Sequence, residues 1–125
     1  MKILELNKFY LVHDGSRRGH PGFLVWKDDQ ANLYLLIKFG SSKSDNNVQL
    51  KHPISSSVLQ SFVYKRPFVG KRKDVGNEMK YDIRIHEDDL WIILEIPKNN
   101  PVFSKTLSRN DKRQYKYGIK KPSTK

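Results

Sequence analysis

Cysteine is absent from the 125-residue chain, which excludes disulfides, thiolate metal sites and cysteine nucleophiles. Long apolar runs are missing as well: the densest, Leu33–Ile37 and Leu90–Leu94, fall far short of the roughly 20 residues of a membrane span. Near the N-terminus Glu5 and Lys8 interrupt any apolar stretch, so no hydrophobic region of a secretory signal is expected there. The chain holds no Gly-x-x-x-x-Gly-Lys phosphate loop, no nucleophile elbow and no dinucleotide fingerprint, which sets aside nucleotide-driven motors and hydrolases of the usual folds. His13, His20, His52 and His86 have no mutual spacing that suggests a ligand set, and Asp28-Asp29 and Asp88-Asp89 read as a polar turn and a helix start. Neither a metal site nor a cofactor is expected. A cytoplasmic protein with no membrane partner fits these absences.

Acidic residues are also scarce. Against 24 Lys plus Arg stand 13 Asp plus Glu, for a net charge of +11. A field of that sign and size attracts polyanions, and phosphate backbones are the commonest ones in a cell. Position matters more than the total. Residues 98–125 carry nine basic side chains against Asp111 alone, and the other 97 residues carry 15 basic and 12 acidic ones. Within that terminal segment Tyr115 and Tyr117 alternate with Arg113, Gln114 and Lys116, which permits phosphate pairing beside ring–base stacking. A solvated tail with no dedicated partner is the plainer alternative. A second cluster surrounds Pro67 and Gly70: Lys65, Arg66, Lys71, Arg72 and Lys73. It reads as a strand turning into a loop that presents its cations convergently. Lys65, Arg66, Lys71, Arg72, Lys73, Arg113 and Tyr115, with Lys43, are the nucleic-acid-binding candidates.

Hydrophobic residues form 37% of the chain, enough for one modest core. Phe9–Val12, Phe23–Trp26 and Leu33–Phe39 read as strands separated by polar turns. Val48 and Leu50 mark a half-exposed strand, and 61–65 reads as extended. Met79, Tyr81, Ile83 and Ile85 alternate with Lys80, Asp82 and Arg84, the cleanest period-2 segment in the chain. Three acids, Glu87, Asp88 and Asp89, open 87–95, where Leu90, Ile93 and Leu94 share a helical face and Pro97 closes the segment. A helix is preferred there, with a strand as the alternative. The sum is a mainly β fold, an antiparallel sheet curled into a small barrel with one late helix over residues 1–97, followed by a basic C-terminal extension over 98–125.

Two loops hold the residues suited to chemistry. In Ser16-Arg17-Arg18-Gly19-His20-Pro21-Gly22 the arginines can fork onto a phosphate and the histidine can exchange a proton near neutral pH. Gly40-Ser41-Ser42-Lys43 offers hydroxyls and a cation to a phosphate oxygen. Either could instead be an ordinary hairpin turn. Arginine, histidine and serine suffice for RNA cleavage without a metal, because the ribose 2′-hydroxyl is the nucleophile and the protein need only move protons and neutralise charge.

Taken in order, these segments resemble the MazF/PemK-type toxins of bacterial toxin–antitoxin pairs over residues 8–95. The first loop and following strand, Gly15 to Val25, the strand Leu35 to Ser42, the short Val48-Gln49-Leu50 and the helix start Ile85 to Leu90 carry the resemblance. It implies an SH3-like barrel, normally a homodimer, that cuts single-stranded RNA without metal and is covered by an acidic antitoxin segment. It implies further that Arg17 or Arg18 matches the loop arginine of proton transfer and phosphate stabilisation, and that Ser41 or Ser42 matches the hydroxyl residue ending the strand. The chain departs from the pattern at His20, which stands between glycine and proline, in serine for the commoner threonine, and in its basic tail. His20 is added to the catalytic set for its place beside the arginines. A non-catalytic nucleic-acid binding module of a mobile element is the alternative function, and a barrel that engages an acidic protein is a third.

Overall fold

The computed structural model describes residues 3–80 and 82–96. Seven strands run in chain order: β1 (Phe9–Val12), β2 (His20–Asp28), β3 (Leu33–Gly40), β4 (Asn47–Gln49), β5 (Phe62–Tyr64), β6 (Phe68–Gly70) and β7 (Val75–Glu78). All pairings are antiparallel, in the order β4-β5-β3-β2-β1-β7, with β6 also paired to β3. A single-turn 3-10 segment, Glu87–Asp89, leads into the helix α1 (Leu90–Glu95). The mainly β architecture and the late helix are therefore as expected. Barrel closure is not: among the described residues the end strands β4 and β7 do not pair, and the sheet stays open.

The central strands are buried on both faces, and for that reason they read as continuous apolar runs. Successive side chains of a strand point to opposite faces. In β3, Leu35, Ile37 and Phe39 join one cluster with Phe9, Phe23, Val63, Leu90 and Ile93. Tyr34 and Leu36 join another with Tyr10, Val12, Leu24 and Val75. A bulge between Leu24 and Trp26 interrupts the β2–β3 register, so that Val25 and Trp26 both turn to the first cluster. Leu24, Leu36, Ile37, Phe39, Val63 and Ile93 are fully buried, each stabilising the fold by about 1.5–3 kcal/mol.

Three sequence expectations are corrected. Among the described residues, 79–80 and 82–85 are not a strand; pairing stops at Glu78. Asp82 sits at φ +53°, which breaks an extended run. Its carboxylate is occupied by Ser55 and Ser56 of a neighbouring loop. The alternation nevertheless reflects burial, since Met79, Ile83 and Ile85 pack against the first cluster. His20, Pro21 and Gly22 open β2 instead of belonging to the preceding loop. Finally, 64–73 is no simple strand-to-loop exit. β5 and β6 both pair with β3, Phe39 with Val63 and Leu36 with Phe68. Lys65, Arg66 and Pro67 form an interruption between them, where proline has no N–H for the ladder.

The helix starts as its acids suggest. His86 is the N-cap and its Nδ1 accepts from the Asp88 backbone N–H at 3.1 Å. Asp89 is completely buried and accepts from the Lys51 and His52 backbone N–H groups at 2.8 and 3.0 Å. It ties the loop after β4 to the start of α1.

Candidate active site

Strand register assembles the site. Val12 lies opposite His20 on β2, and Gly22 lies opposite Lys38 on β3. Phe39 pairs with Val63, so the next antiparallel step sets Lys38 beside Tyr64. Asp14 follows the end of β1. One end of four adjacent strands therefore carries Asp14, His20, Lys38 and Tyr64 in a row.

Contacts tie that row together. His20 Nδ1 lies 2.8 Å from Asp14 Oδ2, and Lys38 Nζ donates to the same oxygen at 2.8 Å. The Ser16 backbone N–H and hydroxyl donate to Asp14 Oδ1 at 3.2 and 2.6 Å. On the other side of the imidazole, Nε2 faces the Tyr64 hydroxyl at 3.4 Å, with the two rings edge to face at 5.3 Å. Lys38 Nζ also lies 4.8 Å from the centroid of the Tyr64 ring, within cation–π range. The Asp14 side chain is only 6% exposed. Burial by itself pushes its pKa up. The hydrogen bonds from Lys38, Ser16 and His20 outweigh that and hold the carboxyl well below the ordinary value of 3.8. An ionised Asp14 accepts the Nδ1 proton and leaves Nε2 as the open, proton-accepting nitrogen.

Close packing shapes the loop behind this row. Gly19 has φ +72°, and a Cβ there would lie 2.6 Å from the Val12 carbonyl oxygen. Only glycine lets the loop turn so tightly before His20 enters the strand.

A groove of about 490 Å³ opens beside the row. Arg18, His20, Ser41, Ser42 and Tyr64 line it, facing Ser55, Ser57 and Asp82 on the other wall. Four of the five residues expected to be catalytic thus share one concave surface. The fifth, Arg17, is exposed and is not part of the groove lining. Asp82 is drawn to its own wall by Ser56 first, then Ser55, and these bonds lower its pKa against the opposing effect of burial. Its negative charge leaves the Arg18–Ser41 wall as the favourable path for a phosphate.

The binding candidates separate into three groups. Lys43 sits exposed in the loop after β3. Lys65 reaches that loop, its backbone N–H donating to the Asn46 carbonyl at 2.8 Å and its ammonium to the Asp45 carbonyl at 3.1 Å. Arg66 is exposed next to it. Lys43 follows Ser42, and Lys65 and Arg66 follow Tyr64; Ser42 and Tyr64 line the groove, and the three cations do not. Lys71, Arg72 and Lys73 instead follow Gly70, which pairs with Tyr34 at the far end of β3. Arg72 is tied there by its backbone N–H to Asn32 Oδ1 at 2.8 Å and by its guanidinium to the Val75 carbonyl at 2.7 Å. Six residue steps along β3 amount to about 20 Å. The cations of the 64–73 segment therefore do not converge on one groove: Lys65 and Arg66 follow Tyr64, which lines it, whereas Lys71, Arg72 and Lys73 lie toward the other end of β3. Arg113 and Tyr115 lie outside the described residues.

Sequence reasoning missed Asp14, Lys38 and Tyr64. Each stood in a segment read for its apolar or turn character, and only strand register brings them within reach of His20. It also missed a cluster elsewhere. His52 and His86, without any ligand-like spacing, stack at 3.7 Å between centroids beside Asp88. Among the described residues no helix is long and apolar enough to cross a membrane. No protein-family model, curated protein or solved structure matches the chain.

Proposed function

We propose that the protein is an endoribonuclease that cleaves single-stranded RNA without a metal, by attack of a ribose 2′-hydroxyl on the adjacent phosphorus. The observation that carries this reading is the setting of His20. Asp14 holds its Nδ1 while its Nε2 faces the Tyr64 hydroxyl, in a groove that Arg18, Ser41 and Ser42 also line. His20 Nε2 takes the 2′-hydroxyl proton as the new P–O bond forms. Arg18 and the serine hydroxyls neutralise charge on the non-bridging oxygens as the bond to the 5′-oxygen breaks. The Tyr64 hydroxyl protonates that leaving oxygen, and His20 returns its proton to the phenolate across the 3.4 Å contact. Protons balance, and the products are a 2′,3′-cyclic phosphate end and a 5′-hydroxyl end. Lys38, over the Tyr64 ring, stabilises the transient phenolate.

Membership of the MazF/PemK-type toxins is part of the proposal, supported by the loop and strand segments that resemble them. So are a homodimer, a cytoplasmic location, and an acidic antitoxin segment lying over the groove. Purified protein incubated with mixed-sequence RNA in EDTA is expected to yield fragments ending in cyclic phosphate. A substrate with deoxyribose at the cut site should remain whole. Arg18→Ala and His20→Ala each lower the rate about 100-fold or more, while Arg17→Ala has little effect. Intact RNA across several substrates would sink the proposal.

One observation favours a second reading, a non-catalytic nucleic-acid binding module. Lys71, Arg72 and Lys73 lie away from the groove, where cleavage has no use for them. That reading expects salt-sensitive RNA binding, weakened by charge removal at 71–73, and no cut product.

A further inference from the structure

We propose that His52, His86 and Asp88 form a binding site for one divalent transition-metal ion, with Zn²⁺ as the fitting occupant. The three residues come from two segments far apart in sequence, the loop after β4 and the start of the helical segment. Their ligand atoms all lie within 4.8 Å of one another. A single carboxylate oxygen, Asp88 Oδ2, stands 2.9 Å from His52 Nε2 and 3.5 Å from His86 Nδ1. Two ligands each about 2.0–2.1 Å from a zinc ion, at tetrahedral or octahedral angles, sit roughly 2.9–3.4 Å apart. Each imidazole nitrogen thus already stands near the spacing from the carboxylate oxygen that one ion imposes, and the two rings, stacked at 3.7 Å between centroids, must turn for both nitrogens to point at it.

The surroundings support an ion there. Asp89, fully buried, fixes the Lys51–His52 backbone to the residue next to Asp88. Both halves of the site are therefore held in place by one carboxylate that is not itself a ligand. Glu87, Asp88 and Asp89 lie consecutively, a local concentration of negative charge in a protein whose net charge is +11. The side chains of His52, His86 and Asp88 are 40%, 37% and 55% exposed, so an ion reaches them from solvent. Two imidazoles with one carboxylate suit zinc, cobalt or nickel over magnesium or calcium. Three protein ligands leave a coordination position for water. Binding gives up two hydrogen bonds, from the Asp88 N–H to His86 Nδ1 and between His52 Nε2 and Asp88 Oδ2, and replaces them with a cross-link between the 50–54 loop and the segment that leads into α1. None of the three residues lines the groove, so the site is separate from the proposed cleavage chemistry and stands or falls without it.

The full chain, stripped with EDTA and then titrated with Zn²⁺ by calorimetry, is expected to take up one ion. His52→Ala, His86→Ala and Asp88→Asn should each weaken uptake at least tenfold, and His13→Ala should leave it unchanged. Should a variant fold poorly, the unsubstituted chain answers the same question by NMR. Zn²⁺ is expected to shift the His52 and His86 ring resonances and to leave those of His13 and His20 in place. A rise in melting temperature with Zn²⁺ is expected from linkage, because the site exists only in the folded state. Uptake that survives all three substitutions, or ring shifts confined to His20, overturns the proposal.

Discussion

Asp14 shows how much one residue can decide. It accepts from Ser16 twice, from His20 and from Lys38, so it is at once the anchor of the first loop and the orienter of the proposed base. Its folded-state pKa lies below the ordinary 3.8, which means the folded protein holds that proton less readily than the unfolded chain does. The stability it contributes is therefore complete above that ordinary value and is lost as pH falls below it. Urea midpoints measured between about pH 5 and about pH 2 should fall less steeply for Asp14→Asn than for the unsubstituted chain. At neutral pH the same substitution should cost about 1–3 kcal/mol, since Lys38 loses its anionic partner. Cleavage should drop about 10²- to 10⁴-fold, because a carboxamide does not fix the imidazole tautomer. Equal acid sensitivity in both proteins would mean that Asp14 is not the group titrating. Tyr64→Phe separates packing from chemistry in the same row: the ring contacts persist, while loss of the hydroxyl slows cleavage and leaves RNA affinity nearly unchanged.

Among the elements, β1, β2 and β3 act as a single support. Gly22 of β2 lies between the other two strands, and a Cβ there would collide with the Val12 side chain and press on Leu36. Gly22→Ala is expected to cost about 1–3 kcal/mol through overpacking, read as a lowered denaturation midpoint. Because Gly22 pairs with both Tyr10 and Lys38, the resulting shift should also disturb the Asp14–Lys38 contact. The helix depends on Asp89 in a comparable way. Asp89→Ala leaves the Lys51 and His52 N–H groups without their acceptor and should cost about 1–3 kcal/mol. Hydrogen exchange is the sharper measurement, with protection lost first at 51–52. Sequence pattern was informative for these elements where burial and pairing coincide, as in β1, β2 and β3. It misled over 79–80 and 82–85, where Met79, Ile83 and Ile85 are partly buried by packing on the core while Asp82 bends the backbone out of any ladder.

For the molecule as a whole, the excess charge acts at more than one place. Lys43, Lys65 and Arg66 follow residues that line the groove, whereas Lys71 to Lys73 follow β6 beside the opposite end of β3. RNA affinity should fall as salt rises, log K declining by about 0.7 per tenfold increase in salt for each phosphate neutralised. Changing Arg109, Lys112, Arg113 and Lys116 to Gln in the full chain should make that slope shallower. It should not abolish cleavage under saturating RNA, because the proposed chemistry uses none of the four. A parallel loss of cleavage at saturation would bring the terminal segment into the reaction.

Charge and periodicity by themselves determined a net positive, mainly β chain with a late helix, because each of those properties is written locally, in composition or in neighbours two to four residues apart. Arg18, His20 and the serines after β3 were legible as candidates for the same reason: short polar motifs carry their own chemistry. Asp14 beside His20, Tyr64 on its far side and Asp88 between two histidines were decided only by tertiary structure. Their partners lie on different strands and loops, and strand register together with the Asp89 tether, not sequence spacing, sets the distances between them. The same is true of the open sheet edge and of the cations at 71–73, whose distance from the groove depends on where β6 joins β3.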